Sequence, residues 1–374
     1  MDPHIDRGDG AAAAQSASLD RADPAERYGS RKAPPSRLEG PLRERFPVSP
    51  RRFRQLSWVA LIALTVIVFT GAAVRLTGSG LGCPTWPKCT ASSLYTPLST
   101  HSAIEFGNRV LSTIVSLIAV ATFVGALLRR PYRRDLARIS ALLPLGVASQ
   151  AVLGGLTVLY HLSPGWVMAH FGLSMIVLIA AVWLVRAAAH EPAEAARPPT
   201  DRLSGIATRA LVPLGGMAIF AGTAATAAGP HAGGAGTDDK VVRITFRGAD
   251  TLDYLIHIHS ALATTLGLAA LGVTYLAWRR GAGRRLLEPL VVTCALIAAQ
   301  GVIGSVQYSQ KLPSEIVWFH VTAATASWLA ILWAAFSVGR LAPSRTAQVA
   351  QREAGAQPRA GSAKPASSKA LARS

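Results

Sequence analysis

Residues 148–170 read ASQAVLGGLTVLYHLSPGWVMAH, and residues 298–320 read AAQGVIGSVQYSQKLPSEIVWFH. Set 150 positions apart, the two stretches align Ala148 with Ala298, Gln150 with Gln300, Val152 with Val302, Gly154 with Gly304, Leu162 with Leu312 and His170 with His320. Each copy is an apolar run, a short polar break and a histidine at the head of a second apolar run, a spacing that hydrophobic sequence seldom repeats by chance. The pair reads as an internal duplication. The rest of the chain can be placed around its two histidines.

Half of the 374 residues are hydrophobic and only 16% are charged. Eight apolar windows of about 20 residues, each long enough to cross a bilayer, lie near 57–75, 106–128, 139–160, 167–187, 207–228, 253–277, 287–308 and 315–338. Four fall in each copy of the duplication. The expected fold is therefore an all-α polytopic membrane protein, with eight transmembrane helices forming two tandem four-helix bundles. The N-terminal bundle is placed at 55–187, the C-terminal bundle at 207–340 and a linker at 188–206. Residues 1–50 and 343–374 have no apolar window and read as disordered tails, and the first of them lacks the apolar core and cleavage site of a signal peptide.

A formal charge of +18 would suggest nucleic acid in a soluble chain. Here the arginines gather on alternate connections. Arg51, Arg52 and Arg54 precede the first span, Arg129, Arg130, Arg133, Arg134 and Arg138 fill the second loop, and Arg279, Arg280, Arg284 and Arg285 fill the sixth. The positive-inside rule puts these loops and both termini in the cytoplasm. The surface the charge faces is then membrane lipid, with no nucleic-acid partner expected, and loops one, three, five and seven lie outside.

Cys83 and Cys89 sit in the first outside loop, within GCPTWPKC (82–89). Two thiols this close on the outer side of a bacterial-type membrane are expected to form a disulfide, as a structural staple or as a redox-active pair. Two ligands with no further Cys or His close by in the loop do not make a zinc site. Cys294 lies within a span and reads as a small core residue.

The second span opens HSAIEFGNRVLS (101–112), placing Glu105, Asn108 and Arg109 on neighbouring positions of one helical face with His101 a turn earlier. An ionisable cluster at the edge of a span is costly unless it is used. It reads either as a network that caps the helix or as a catalytic or cofactor-binding group. GTAATAAGPHAGG (222–234) aligns with GAAVRLTGSGLGC (71–83), 151 positions earlier, so the duplication reaches the first span of each half. The second copy has no cysteine and carries His231, which faces either water or a ligand. With the same offset His259 matches Asn108, and Ile256 matches Glu105. His257 and His259 point about 200° apart on a helix, so one of them faces the bundle centre, and the alignment favours His259.

Glu105, Asn108, His170, His259 and His320 thus open even-numbered spans at a similar depth. Histidines on facing helices commonly hold haem iron from both sides. The pair His259 and His320 would saturate an iron and suit electron transfer, whereas His170 opposite asparagine and glutamate leaves a position for a substrate.

Eight spans in two halves, the exit GAAVRLTGSGLGCPTWPKC (71–89), the helix start IEFGNR (104–109) and histidines opening spans four, six and eight resemble the heme A synthase family. The resemblance covers about residues 55–340. It implies an oxidoreductase of the bacterial plasma membrane that converts the C8 methyl group of heme O into the formyl group of heme A for terminal oxidases, with haem b as cofactor. His259 and His320 would be the axial ligands of haem b, His170 would face the substrate haem with Asn108 and Arg109, and Cys83 and Cys89 would form a disulfide beside the site. Glu105 would act in catalysis, as a proton acceptor or by stabilising positive charge on the oxidised carbon. The family pattern in the second span is Glu-x-x-His-Arg, and Asn108 stands at its histidine. Either His170 alone holds heme O with Asn108 giving a hydrogen bond, or another residue such as His101 substitutes.

The pathway implies heme O synthase and cytochrome oxidase assembly factors as neighbours, and the sequence leaves a homo-oligomer open. The alternative reading is a non-catalytic membrane cytochrome b passing electrons from quinol. It needs the same histidine pair but gives Glu105 and the Gly-Cys loop no task. A transporter, the third class, more often has halves of opposite orientation and broken helices.

Overall fold

The computed structural model describes residues 44–93, 99–190, 200–233 and 241–339. The tails expected at 1–50 and 343–374 lie outside these residues except for 44–50, and so do residues 191–199 of the linker 188–206. Eight helices follow in order: α1 (Pro50–Leu76), α2 (Thr100–Leu128), α3 (Arg134–Leu159), α4 (Pro164–Ala188), α5 (Arg202–Ala228), α6 (Thr251–Arg279), α7 (Arg284–Ser309) and α8 (Ser314–Ser337). All eight are long and apolar enough to cross a membrane, which makes the chain a multi-pass membrane protein. Most extend beyond the apolar windows, because a helix satisfies its own backbone N–H and C=O groups and continues into the headgroup region at little cost.

The helix starts are written locally. The Ser49 hydroxyl accepts the Arg52 N–H at 3.3 Å with Pro50 as the first helical residue, and the Ser99 hydroxyl accepts the Ser102 N–H at 3.2 Å. The Asp201 carboxylate accepts the Ser204 N–H at 2.9 Å. Inside the spans, hydroxyl groups return their protons to the preceding turn, as in Thr208 to Ser204 O (2.7 Å) and Thr293 to Pro289 O (2.8 Å). Where no water can serve them, this is how buried hydroxyls are satisfied.

Within the N-terminal half α1 packs on α2 and α4, α2 on α3 and α3 on α4; within the C-terminal half α5 packs on α6 and α8, α6 on α7 and α7 on α8. The halves meet where α1 touches α8, α4 touches α5 and α4 touches α8. Exchanging α1 with α5 and α4 with α8 carries the first of these contacts onto the second and leaves the third in place. The seam therefore has the pattern of a two-fold axis, and with four spans per half that axis runs along the membrane normal. Phe53, Leu136, Leu143, Leu178 and Leu184 belong to one core cluster, Leu211, Ala270, Leu290 and Ile331 to a second, and Leu81, Val158 and Leu162 form a small third one. Tryptophans of α8 fasten the seam: Trp318 Nε1 donates to Phe69 O at 3.0 Å and Trp328 Nε1 to Met175 O at 3.1 Å. An indole N–H in a dry interface needs such an acceptor.

The aligned stretches have matching geometry, which is consistent with a duplication. Gln150 Nε2 donates to His170 O and Gln300 Nε2 to His320 O, each at 3.0 Å. The α3–α4 and α7–α8 turns each hold two successive left-handed residues, His161 and Leu162 in one and Lys311 and Leu312 in the other. In each turn the second leucine N–H reaches back at 2.8 Å, to Thr157 O and to Gln307 O respectively, which closes the helix end.

Candidate functional site

The even-numbered helices all begin at one end of the bundle, and their site residues lie at matched depth. His170 and His320 stand six positions past the first residues of α4 and α8, while Asn108 and His259 stand eight past those of α2 and α6. At a helical rise of about 1.5 Å per residue, all four sit roughly 9–12 Å inside their helix starts.

In the C-terminal half, His259 and His320 face each other with ring centroids 6.0 Å apart and planes at 83°. His259 Nδ1 lies 2.9 Å from Ala218 O, and since a carbonyl only accepts, Nδ1 carries the proton. That leaves Nε2 with a free lone pair, the arrangement a metal-binding imidazole requires. An iron held between two imidazoles needs about 2 Å per Fe–N bond and about 1 Å more to each ring centre, and the resulting separation of roughly 6 Å agrees with the spacing found. The donor pair therefore fits a haem iron. Gly222 makes room for the ring: a Cβ built there would meet His259 Cε1 at 2.9 Å. Across the site, Gly304 lies against His320, with a built Cβ 3.3 Å from Cε1.

In the N-terminal half, Gly154 lies against His170 in the same way, at 3.4 Å. His170 Nδ1 and His320 Nδ1 are both buried without a hydrogen-bond partner. Above this half sits the loop 77–93, closed by the Cys83–Cys89 disulfide. Glu105 is the only buried carboxylate among the described residues. Its Oε2 accepts the Cys83 N–H at 2.8 Å and its Oε1 accepts Arg109 Nη2 at 2.6 Å. Arg109 Nη1 and Nη2 continue to Thr85 O and Cys83 O at 3.1 and 3.2 Å. The structure thus joins four of the expected residues, Glu105, Arg109, Cys83 and Cys89, into one cluster that shapes the loop. Trp86 seats that loop on α3: its ring would meet a Cβ on Gly155 at 2.8 Å, one residue along from the glycine beneath His170.

Other candidates fall elsewhere. Asn108 turns to α1, where its Oδ1 accepts the Thr70 hydroxyl at 2.8 Å. His101 is held by Ser79 at 3.0 Å through Nδ1. His231 donates Nε2–H to Leu312 O at 2.6 Å and so fastens the second loop to the α7–α8 turn. His257 is exposed and lies 3.5 Å from Asp253 on its own helix. Cys294 packs against Thr274 at 3.3 Å. Sequence reasoning passed over Thr70, Ala218, Gly222 and Trp86. Gln150 and Gln300 were visible as an aligned pair, and their shared task of holding the histidine-bearing helices by the His170 and His320 carbonyls supplies the reason.

Facing histidines in one half, a buried carboxylate under a disulfide loop in the other, and matched depth in both define an all-helical membrane protein of eight spans. Comparison with known proteins narrows the class. The family model COX15-CtaA, described as cytochrome oxidase assembly protein, matches residues 54–103 and 97–238, and the chain belongs to this family. Among curated relatives, the heme A synthase of Alkalihalophilus pseudofirmus is 28% identical over 135 residues, 36% of this chain and 46% of the relative. That of Listeria welshimeri is 31% identical over 130 residues, 34% of this chain and 43% of the relative. That of Lysinibacillus sphaericus is 30% identical over 135 residues, 35% and 44% of the two chains. The matched stretch spans less than half the length of these relatives.

Proposed function

We propose that the protein is a heme A synthase, oxidising the C8 methyl group of heme O to the formyl group of heme A. The observation that carries the reading is the His259–His320 pair, 6.0 Å apart, standing at the positions that Asn108 and His170 occupy in the other half. One half then has a closed pair of imidazoles suited to a resident haem b, and the other has a single imidazole suited to a haem that must enter, react and leave. His259 and His320 would hold haem b, which would supply one-electron chemistry.

The chain's own residues divide the remaining work. His170 faces the substrate haem, with Asn108 on the opposing helix. Replacing a methyl by a formyl group exchanges two hydrogens for one oxygen and removes four electrons; the oxygen atom and the oxidant that takes up those electrons come from outside the chain, and within the site protons must leave while positive charge develops at the carbon. Glu105, buried and preorganised by the Cys83 N–H and Arg109, is the base and the counter-charge for that step. Arg109 positions Glu105 and, through Thr85 O and Cys83 O, the loop that keeps water from the site. With the arginine-rich loops in the cytoplasm of a bacterium, both termini are cytoplasmic and the histidine-bearing end opens outward.

The test is expression in a host that makes heme O but no heme A, followed by purification in detergent, a reduced spectrum and mass analysis of the extracted haems. Haem b together with heme A or its hydroxylated precursor is the expected result. Haem b alone, with heme O abundant in the host, refutes the synthase reading and favours an electron-transfer cytochrome.

A further inference from the structure

We infer that the N-terminal half holds the iron of its haem through His170 alone, and that Asn108 presents amide N–H groups to the opposite, exchangeable side of that iron. The inference rests on the reading that this half receives heme O, and it departs from the family pattern, in which a histidine stands at position 108.

Repeat geometry puts Asn108 across from His170. Its counterpart His259 faces His320 at 6.0 Å, and His170 shares with His320 both the glutamine contact at its carbonyl and the glycine beneath its ring. What differs is the side chain and where it is fastened. Thr70 donates its hydroxyl proton to Asn108 Oδ1 at 2.8 Å. That stretch of α1 is itself fixed, because the adjoining Phe69 carbonyl accepts Trp318 Nε1–H at 3.0 Å. With Oδ1 turned to α1, the Nδ2–H groups are what the carboxamide offers to the site. An amide N–H donates hydrogen bonds and has no lone pair for iron.

Among the described residues no other side chain refills the space. At Gly222, the His259 ring lies within 2.9 Å of a built Cβ, yet at the aligned Gly71 such a Cβ meets nothing within 4 Å. His101, the substitute considered from the sequence, is held by Ser79, and Glu105 and Arg109 are committed to the disulfide loop. An iron with one axial imidazole takes up a small sixth ligand, and a hydrogen-bond donor beside that ligand slows its departure.

The experiment uses the full chain purified from a heme O-producing host, reduced and exposed to carbon monoxide. The expected result is one carbon monoxide per chain, lost in His170→Ala. Asn108→Leu still binds the gas, but the C–O stretching frequency rises and release quickens roughly two- to tenfold, the worth of one hydrogen bond. Thr70→Val, which frees the carboxamide, moves the frequency part of the way. Asn108→His gives a second low-spin haem that excludes carbon monoxide. Wild-type protein carrying two haems and binding no carbon monoxide overturns the inference, as does an Asn108→Leu frequency that stays unchanged or falls. A chain that retains one haem only, lost in His320→Ala and kept in His170→Ala, refutes instead the reading that the N-terminal half receives a haem, and the inference falls with it.

Discussion

Gly222→Ala provides the sharpest test of the haem site in the C-terminal half, because the aligned Gly71→Ala serves as its own control. A Cβ at position 222 would stand 2.9 Å from His259 Cε1 and 3.2 Å from Nδ1. Unstrained carbon contacts begin near 3.5 Å, so the ring must retreat by about half an ångström or more. It is held where it is by the bond from Nδ1 to Ala218 O, 2.9 Å long, on the same helix as the new methyl group. Retreat either breaks this bond, at roughly 0.5–1.5 kcal/mol, or swings Nε2 off the line to His320. Haem retention should fall by about two- to tenfold, with a weakened low-spin α-band in the reduced protein. At Gly71 the added methyl meets no atom of the described residues within 4 Å, so the low-spin α-band of the C-terminal haem should be unchanged there, and replacing a mid-helix glycine by alanine gains up to about 1 kcal/mol in helix propensity. Haem-to-protein ratio, reduced spectrum and thermal midpoint of both variants in detergent make the measurement. A Gly222→Ala protein with wild-type haem content and spectrum, or a Gly71→Ala protein damaged equally, would refute the reasoning.

Three further outcomes are expected. His320→Ala should lose the low-spin haem signal while His170→Ala keeps it; an unchanged spectrum in His320→Ala removes that residue as a ligand. Glu105→Ala should retain the same spectrum yet make no heme A, and heme A accumulating in this variant would end the catalytic assignment. Asp201 tests the opposite end of the bundle: hydrogen bonds from the Ser204 N–H and hydroxyl, followed by Arg280 at 2.9 Å, hold its carboxyl below the usual range. A depressed carboxyl pKa stabilises the fold fully above the unfolded value of about 3.9 and loses that contribution as pH falls through the folded value. The gap in thermal midpoint between wild type and Asp201→Asn should therefore be present at pH 7 and close in acid, and a gap that widens in acid contradicts the assignment.

The sequence by itself determined the eight spans and the depth of the histidines, and it pointed to the duplication with which the structure is consistent. Transfer of a side chain into lipid is a local quantity that accumulates along a window of about 20 residues, and a repeat is visible without knowing any contact. The helices run past those windows, since the backbone continues its ladder where hydropathy no longer marks it. Only the tertiary structure decided what each polar atom does. Asn108 meets Thr70 across 38 positions, Glu105 meets the Cys83 N–H across 22 and His259 meets Ala218 O across 41. His231, which the sequence left facing either water or a ligand, meets Leu312 O across 81. Such partners depend on which helix faces are pressed together, and that is settled by the fit of side chains at the seams. In a dry interior every donor must find an acceptor among the few that packing brings near, so the roles of Asn108, Glu105 and His259 follow from the neighbours that packing gives them.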